Sequence, residues 1–267
     1  MTNLSLQPKV IREIEKVTEV GSYLWQREWA ERNGGNISID ITDIFGELPA
    51  SLEPYAFVTL TGFPQASAGK IYYVKGKGER IRELNKPDEA GCILRINDQV
   101  TGYHILWGGR QQADYQPTSE FISHVKILLS QHHTDHRCVV HTHPHELIAL
   151  SHHPILGQDK LAYNLACSSM LPEVRVFVPR GIDLVPYTLS GSEQLADLTV
   201  SSLQEFDVSV WEKHGAVATG SDALEAFDFI DVANKGAKIY LSCLAAGFTP
   251  DGLNQTQLLE LEQVFEL

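Results

Sequence analysis

The stretch RCVVHTHPHE (residues 137–146) decides how this chain is read. Its opening, Arg-Cys-Val-Val, is short and largely apolar with paired valines, which predicts a buried strand. Successive side chains of a strand point to opposite faces, so His141 and His143 project together if the strand runs through Thr142. Two imidazoles on one rigid face make a natural pair of zinc ligands. A third ligand must come from elsewhere. His214 in WEKHG (211–215) is the best placed, because it ends another predicted strand before a glycine turn. His145 competes, but Pro144 suits the start of a helix, PHELIALS (144–151), that turns it away. Spacing alone leaves a metal site and a chance pairing both open in a chain with eleven histidines. His132, His133, His136, His152 and His153 lie near predicted helix ends and read as solvated.

Outward from this stretch, helices and strands alternate. Val10, Ile11, Ile14, Val17, Val20, Leu24 and Trp25 recur at roughly helical spacing, predicting one amphipathic helix over 10–33 that Gly34 and Gly35 stop. NISID (36–40), YAFVTLTG (55–62), IYYVK (71–75), CILRIND (92–98) and GYHILWG (102–108) read as strands, with 41–54 as loop. PTSEFISHVKILLSQ (117–131) reads as a helix capped by Thr118 or Ser119, with Glu120 in its first turn. A helix follows at 157–168, then a strand, VRVFVP (174–179), and a helix, SEQLADLTVSSLQE (192–205). Two strands in VSVWEKHGAVATG (208–220) precede helices over 221–247 and 254–267. No linker-like shift of composition divides the chain, so 1–267 reads as a single α/β domain, a mixed sheet covered by helices.

Apolar residues make up 43% of the chain, enough for a sizeable core, and the formal net charge is −13. That balance argues against a nucleic-acid partner, whose phosphates are met mainly by Lys and Arg. It leaves room for one small anion in a local pocket. Cys92, Cys138, Cys167 and Cys243 are scattered without a CxxC pair, as expected of reduced thiols in the cytoplasm. No apolar leader and no run of 18 apolar residues is visible, so neither secretion nor membrane association is expected.

Two kinds of feature carry further chemistry. Glu120 has an ordinary reading, since a helix start favours an acid, and a functional one, since a carboxylate beside a metal can act as general acid or base. ERNGGNIS (31–38) and VKGKGER (74–80) read either as glycine-rich turns or as backbone nests for a phosphate. In the second turn Lys75 or Lys77 supplies charge. Neither turn is a nucleotide-binding loop.

Taken in order, WAERNGGNIS (29–38), GYHILWG (102–108), PTSE (117–120), VVHTHPHELIAL (139–150) and VWEKHGAVATGSDALEAFDFID (210–231) resemble the class II, zinc-dependent aldolase family. The resemblance implies a three-layer α/β/α domain with a mixed, largely antiparallel central sheet, assembled as a homotetramer with one Zn2+ per subunit. It implies His141, His143 and His214 as metal ligands and Glu120 as the catalytic carboxylate. It implies Asn33, Gly35 and Asn36 in a phosphate pocket, with Gly76, Thr118 and Ser119 as companions. By position, Glu173 matches a catalytic glutamate that reaches in from a neighbouring subunit. The implied reaction is retro-aldol cleavage of a small phosphorylated sugar, L-rhamnulose 1-phosphate, to dihydroxyacetone phosphate and L-lactaldehyde. Alternatives within the family are fuculose-phosphate cleavage, pentose-phosphate epimerisation and sugar-phosphate dehydration. Relatives of the fold that are structural modules are expected to lack the metal ligands. Two departures stand out: Lys77 occupies a position where the family has a small hydroxyl residue, and 41–70 matches nothing in it. No lysine is singled out as the Schiff-base former that a metal-free aldolase needs.

Overall fold

A computed structural model of the chain describes residues 5–109 and 114–267. The chain forms two compact units, Met1–Val140 with Gly220–Leu224, and His141–Thr219 with Glu225–Leu267. The class is α/β, with mixed and mainly antiparallel strand pairing and helices packed against the strands.

The first unit opens with α1 (Pro8–Gln26), whose Val10, Ile14, Val17, Val20 and Leu24 are buried along one face. That face packs on a short 3-10 turn, Ile81–Asn85. Helix α1 ends earlier than predicted. Glu28 adopts a left-handed φ of 62°. Its N–H donates to the Trp25 carbonyl (3.1 Å), and Trp29 N–H donates to the Leu24 carbonyl (3.0 Å). This is a Schellman stop closed by the buried pair Trp29 and Leu24. Glycine normally marks such a stop; a glutamate there hides it from sequence rules.

Strands β1 (Asn36–Asp40), β2 (Phe57–Thr59), β3 (Ile71–Lys75), β4 (Gly91–Ile96) and β5 (Gly102–Gly108) line up as β2-β5-β4-β3-β1, each pair antiparallel. The predicted strand over 55–62 shrinks to β2. Every residue of β3 is buried, so it has no solvent face and no polar alternation. The short α2 (Pro87–Ala90) precedes β4, and α3 (Phe121–Ser130) lays Phe121, His124, Val125 and Leu128 inward. Strand β6 (Cys138–Thr142) begins in this unit, and its last two residues, His141 and Thr142, belong to the second.

In the second unit α4 (His145–Ser151) follows β6, then α5 (Lys160–Ser168), capped by the Asp159 carboxylate on Leu161 and Ala162 N–H. The predicted strand VRVFVP is instead α6 (Pro172–Phe177) with the turn after it. Pro172 at the helix start sets φ for a helix, which outweighs the alternating valines. The true strand is β7 (Ile182–Val185), which the sequence reading missed. It runs parallel to β8 (Val208–Trp211), with α7 (Glu193–Glu205) as the crossover that a parallel pair requires. Strand β8 turns back into β9 (Gly215–Gly220) as an antiparallel hairpin. The long α8 (Ala223–Ala245) and α9 (Gln255–Phe265) complete the chain. No described helix is long and apolar enough to cross a membrane.

Candidate active site

The β8–β9 hairpin and the end of β6 build the histidine group within the second unit. Trp211 pairs with Gly215 across the hairpin, leaving Glu212, Lys213 and His214 as its loop. Lys213 takes a left-handed φ of 61°, and its N–H donates to the Ser151 Oγ (2.9 Å), which fixes the turn from outside. The indole N–H of Trp211 donates to the buried Thr199 hydroxyl (2.9 Å). That bond locks the ring against His141 and His214, at centroid distances of 4.4 and 5.0 Å.

The three predicted ligands come together. Ring centroids stand 5.2 Å apart for His141–His143, 5.1 Å for His141–His214 and 5.4 Å for His143–His214. One nitrogen of each lies within 4.8 Å of one nitrogen of each other ring. A carbonyl oxygen can only accept, so the Ala216 carbonyl, 3.1 Å from His141 Nδ1, assigns the ring proton there and leaves Nε2 as the metal-facing nitrogen. Gly215 makes room for the group. A Cβ at that position would lie 2.5 Å from the Thr142 oxygen, 2.9 Å from His141 Cε1 and 3.0 Å from His143 Cδ2. His141 is buried and the other two are half-buried, so the set has an open side. Three imidazole nitrogen donors with an open side fit a divalent metal such as zinc, with coordination positions left for substrate. His145 stands exposed at the start of α4, as predicted, and is not in the group. That helix start is held by Asn234, which accepts from Leu147 N–H (3.1 Å) and donates to the Glu146 carboxylate (2.7 Å).

The remaining residues gather in the first unit. An isolated antiparallel bridge joins Gly76 to Pro117, and Thr118 N–H donates to the Lys75 carbonyl (2.9 Å). The 117–120 segment is thereby strapped to the end of β3. Gly76 is obligatory, because any Cβ there would overlap the Tyr115 ring. Helix α3 starts one residue later than predicted. Glu120 occupies the cap position, and its N–H donates to the Thr118 hydroxyl (3.4 Å). The carboxylate is therefore not a first-turn ornament. It is 7% exposed, and its Oε2 accepts from Asn36 Nδ2 at 2.8 Å. Asn36 Oδ1 is buried without a hydrogen-bond partner among the described residues. Gly35 adopts φ 71°, bringing Asn36 in after the exposed Asn33; Thr118 is buried and Ser119 exposed.

Of the side chains here, His124 was not singled out from sequence, and Lys75 was named only together with Lys77 as a source of charge for the second turn. Lys75 is 2% exposed, and its ammonium donates to the Asn33 carbonyl (3.3 Å) and the Gly76 carbonyl (3.5 Å). Burial pulls its pKa down to about 8, against the opposing pull of Glu79, Glu120 and Glu83. Lys77, the residue that departs from the family, is exposed and donates to the Gln116 side chain (3.2 Å). His124, one helical turn beyond Glu120, meets the Ser38 hydroxyl through Nδ1 (2.8 Å), while its Nε2 is buried without a partner among the described residues. A histidine in the apolar stripe Phe121–His124–Val125–Leu128 was the available signal. Glu173 lies exposed in the first turn of α6 and outside the histidine group.

A family model described as the class II aldolase and adducin N-terminal domain matches residues 15–241. The chain is 42% identical to a rhamnulose-1-phosphate aldolase of Bacteroides thetaiotaomicron, over 99% of this chain and 98% of that protein. It is 31% identical to a protein of the same name from Listeria welshimeri, over 91% of this chain and 86% of the other. Among solved structures it is similar to a sugar-phosphate aldolase from Thermotoga maritima, with a TM-score of 0.73, 29% identity, and coverage of 91% of this chain and all of that one.

Proposed function

The chain belongs to the class II aldolase and adducin family, and from that membership we propose that it is a lyase cleaving L-rhamnulose 1-phosphate to dihydroxyacetone phosphate and L-lactaldehyde. The observation that carries the reading is the convergence of His141, His143 and His214, with the Ala216 carbonyl setting the His141 tautomer. We take the metal to be zinc, one per subunit. When bound there, it supplies a Lewis acid for the carbonyl that draws electrons from the breaking bond. Glu120 moves the proton at the carbon that becomes negative, and Asn36 orients the Glu120 carboxylate through its amide N–H. The turn of Asn33, Gly35 and Asn36, with Gly76, Thr118 and Ser119, holds the phosphate and so places the scissile bond.

We take residues 1–267 as one family domain, since the family match runs through both compact units. The working form is a cytoplasmic homotetramer. Glu173, exposed on α6, is free to serve a neighbouring subunit's site. The test is a coupled assay for dihydroxyacetone phosphate over a panel of ketose 1-phosphates, with and without a chelator. Cleavage of L-rhamnulose 1-phosphate, abolished by chelation and restored by zinc, is expected. Preference for L-fuculose 1-phosphate, or conversion without release of dihydroxyacetone phosphate, moves the chain to another activity of the family.

A further inference from the structure

A buried ammonium stabilises a fold only when its charge is met, and Lys75 is met poorly. Among the described residues its hydrogen bonds reach two backbone carbonyls, at 3.3 and 3.5 Å, both long for an ammonium with three donors. Lys16, Lys70 and Lys160 of the same chain each reach a carboxylate at 2.8 to 3.1 Å. A lysine held 2% exposed, hydrogen-bonded only to carbonyls among the described residues and drawn by Glu79, Glu120 and Glu83 without an ion-pair contact, still carries a desolvation cost that lowers its pKa and that an incoming anion would offset. Its location says which anion. One carbonyl belongs to Asn33, at the mouth of the first glycine turn, and the other to Gly76, in the second. Lys75 therefore bridges the two turns that the sequence marks as backbone nests; at Gly78 of the second, the space beside the backbone is empty to 4 Å. Asn33 is exposed, so the ammonium sits directly beneath a surface residue.

We infer that Lys75 is a further phosphate-binding residue, whose buried ammonium meets the substrate's phosphate between the Asn33–Asn36 and Gly76–Gly78 turns and selects phosphorylated over unphosphorylated ketoses. The inference rests on the reading of these turns as the phosphate end of the site. In a chain of net charge −13, a dianion needs a local cation, and the exposed Lys77 engages the Gln116 side chain instead. The charged groups facing Lys75 are Glu79, Glu83 and Glu120, with His124 near enough for its own proton affinity to fall. A pKa of about 8 keeps the ammonium charged at neutral pH and lets it discharge in mild alkali. Phosphate affinity should then decline above that pH.

The experiment compares wild type, Lys75→Met and Lys75→Arg, each checked for metal content and thermal midpoint. Inorganic phosphate is titrated by calorimetry, and kcat and KM are measured on L-rhamnulose 1-phosphate from pH 7 to 9.5. Methionine keeps the stem and removes the charge. It should raise the phosphate Kd and the substrate KM together by about 10- to 100-fold, with kcat changed far less. In wild type KM should climb above about pH 8, and in Lys75→Arg that climb should vanish, because arginine stays charged. Lys75→Met that binds phosphate as wild type does overturns the assignment. So does borohydride trapping of wild type with dihydroxyacetone phosphate at Lys75, which would make the residue a Schiff-base nucleophile. A wild type that cleaves no ketose 1-phosphate, yet loses phosphate binding in Lys75→Met, refutes the aldolase reading and supports the phosphate site.

Discussion

The histidine group and the Glu120 neighbourhood are built on opposite principles. The three imidazoles stand on one strand end and one hairpin loop, fixed by backbone partners: the Ala216 carbonyl on His141, the Ser151 hydroxyl on the Lys213 N–H, and bare glycine at 215. Around Glu120, side chains come from β1, the end of β3 and the 118–124 segment; among the described residues the buried Asn36 Oδ1 and His124 Nε2 lack partners, and the Lys75 ammonium has only two long contacts to carbonyls. Buried polar groups are ordinarily satisfied, and the two orphaned atoms beside Glu120 leave hydrogen-bonding capacity unused there. The first region is held by fixed backbone partners; the second keeps buried polar capacity without partners among the described residues.

The sharpest way to break this contrast is at the ligands. His141→Ala should release the metal and lower kcat/KM by at least about 10⁴-fold, with both losses in step, as metal analysis and the coupled assay would show. Activity persisting in a metal-free variant would remove the premise. Next in size is Glu120→Gln. It keeps the Asn36 contact on an uncharged isostere, so metal content should hold while kcat falls about 10²- to 10⁴-fold. Loss of metal with loss of turnover would make Glu120 a ligand rather than a proton carrier.

Gly215→Ala tests the claim that the histidine group is rigid. A methyl placed 2.5 Å from the Thr142 oxygen and about 3 Å from two imidazoles must push one of them aside. Metal affinity should drop about 10- to 100-fold, as for other changes that misalign metal ligands, measured by competition with a chromogenic chelator. Unchanged affinity would mean the imidazoles adapt, and the two regions would no longer differ in kind.

The same difference explains what the sequence could disclose. A pair of histidines two apart at a strand end is a local pattern, and a third before a hairpin glycine is nearly as local, so the grouping of the three rings was legible. The strands β1, β3, β4 and β5 were also legible, because their apolar runs are bounded by glycine or polar turns. Lys75 was named with Lys77 as a source of charge, but its burial was not legible, because every residue of β3 is buried and no alternation reports a lysine's side. Helix α6 was misread as a strand because Val174, Val176 and Val178 alternate, and the proline that decides the matter lies just upstream. The α1 stop was missed because glutamate takes the conformation that glycine usually announces.

The smallest effect isolates His124. Burial, reinforced by Lys75 and opposed by Glu120, lowers its pKa to about 4, so the folded protein keeps this ring neutral where the unfolded chain protonates it. Below pH 6.5 the unfolded state gains a proton that the folded state refuses until pH 4, so folding stability falls as pH falls across that window and levels off beneath it. The whole loss is on the order of 3 kcal/mol. His124→Gln, which retains a polar group for the Ser38 hydroxyl, should cost little at pH 7 and should flatten this part of the acid slope. Urea unfolding of both proteins at pH 7, 5.5 and 4.5 reads the difference directly, since metal release in acid affects them alike. Parallel slopes would mean that His124 takes up its proton in the folded state, through water or a carboxylate, and that the Glu120 neighbourhood is wetter than its orphaned atoms imply.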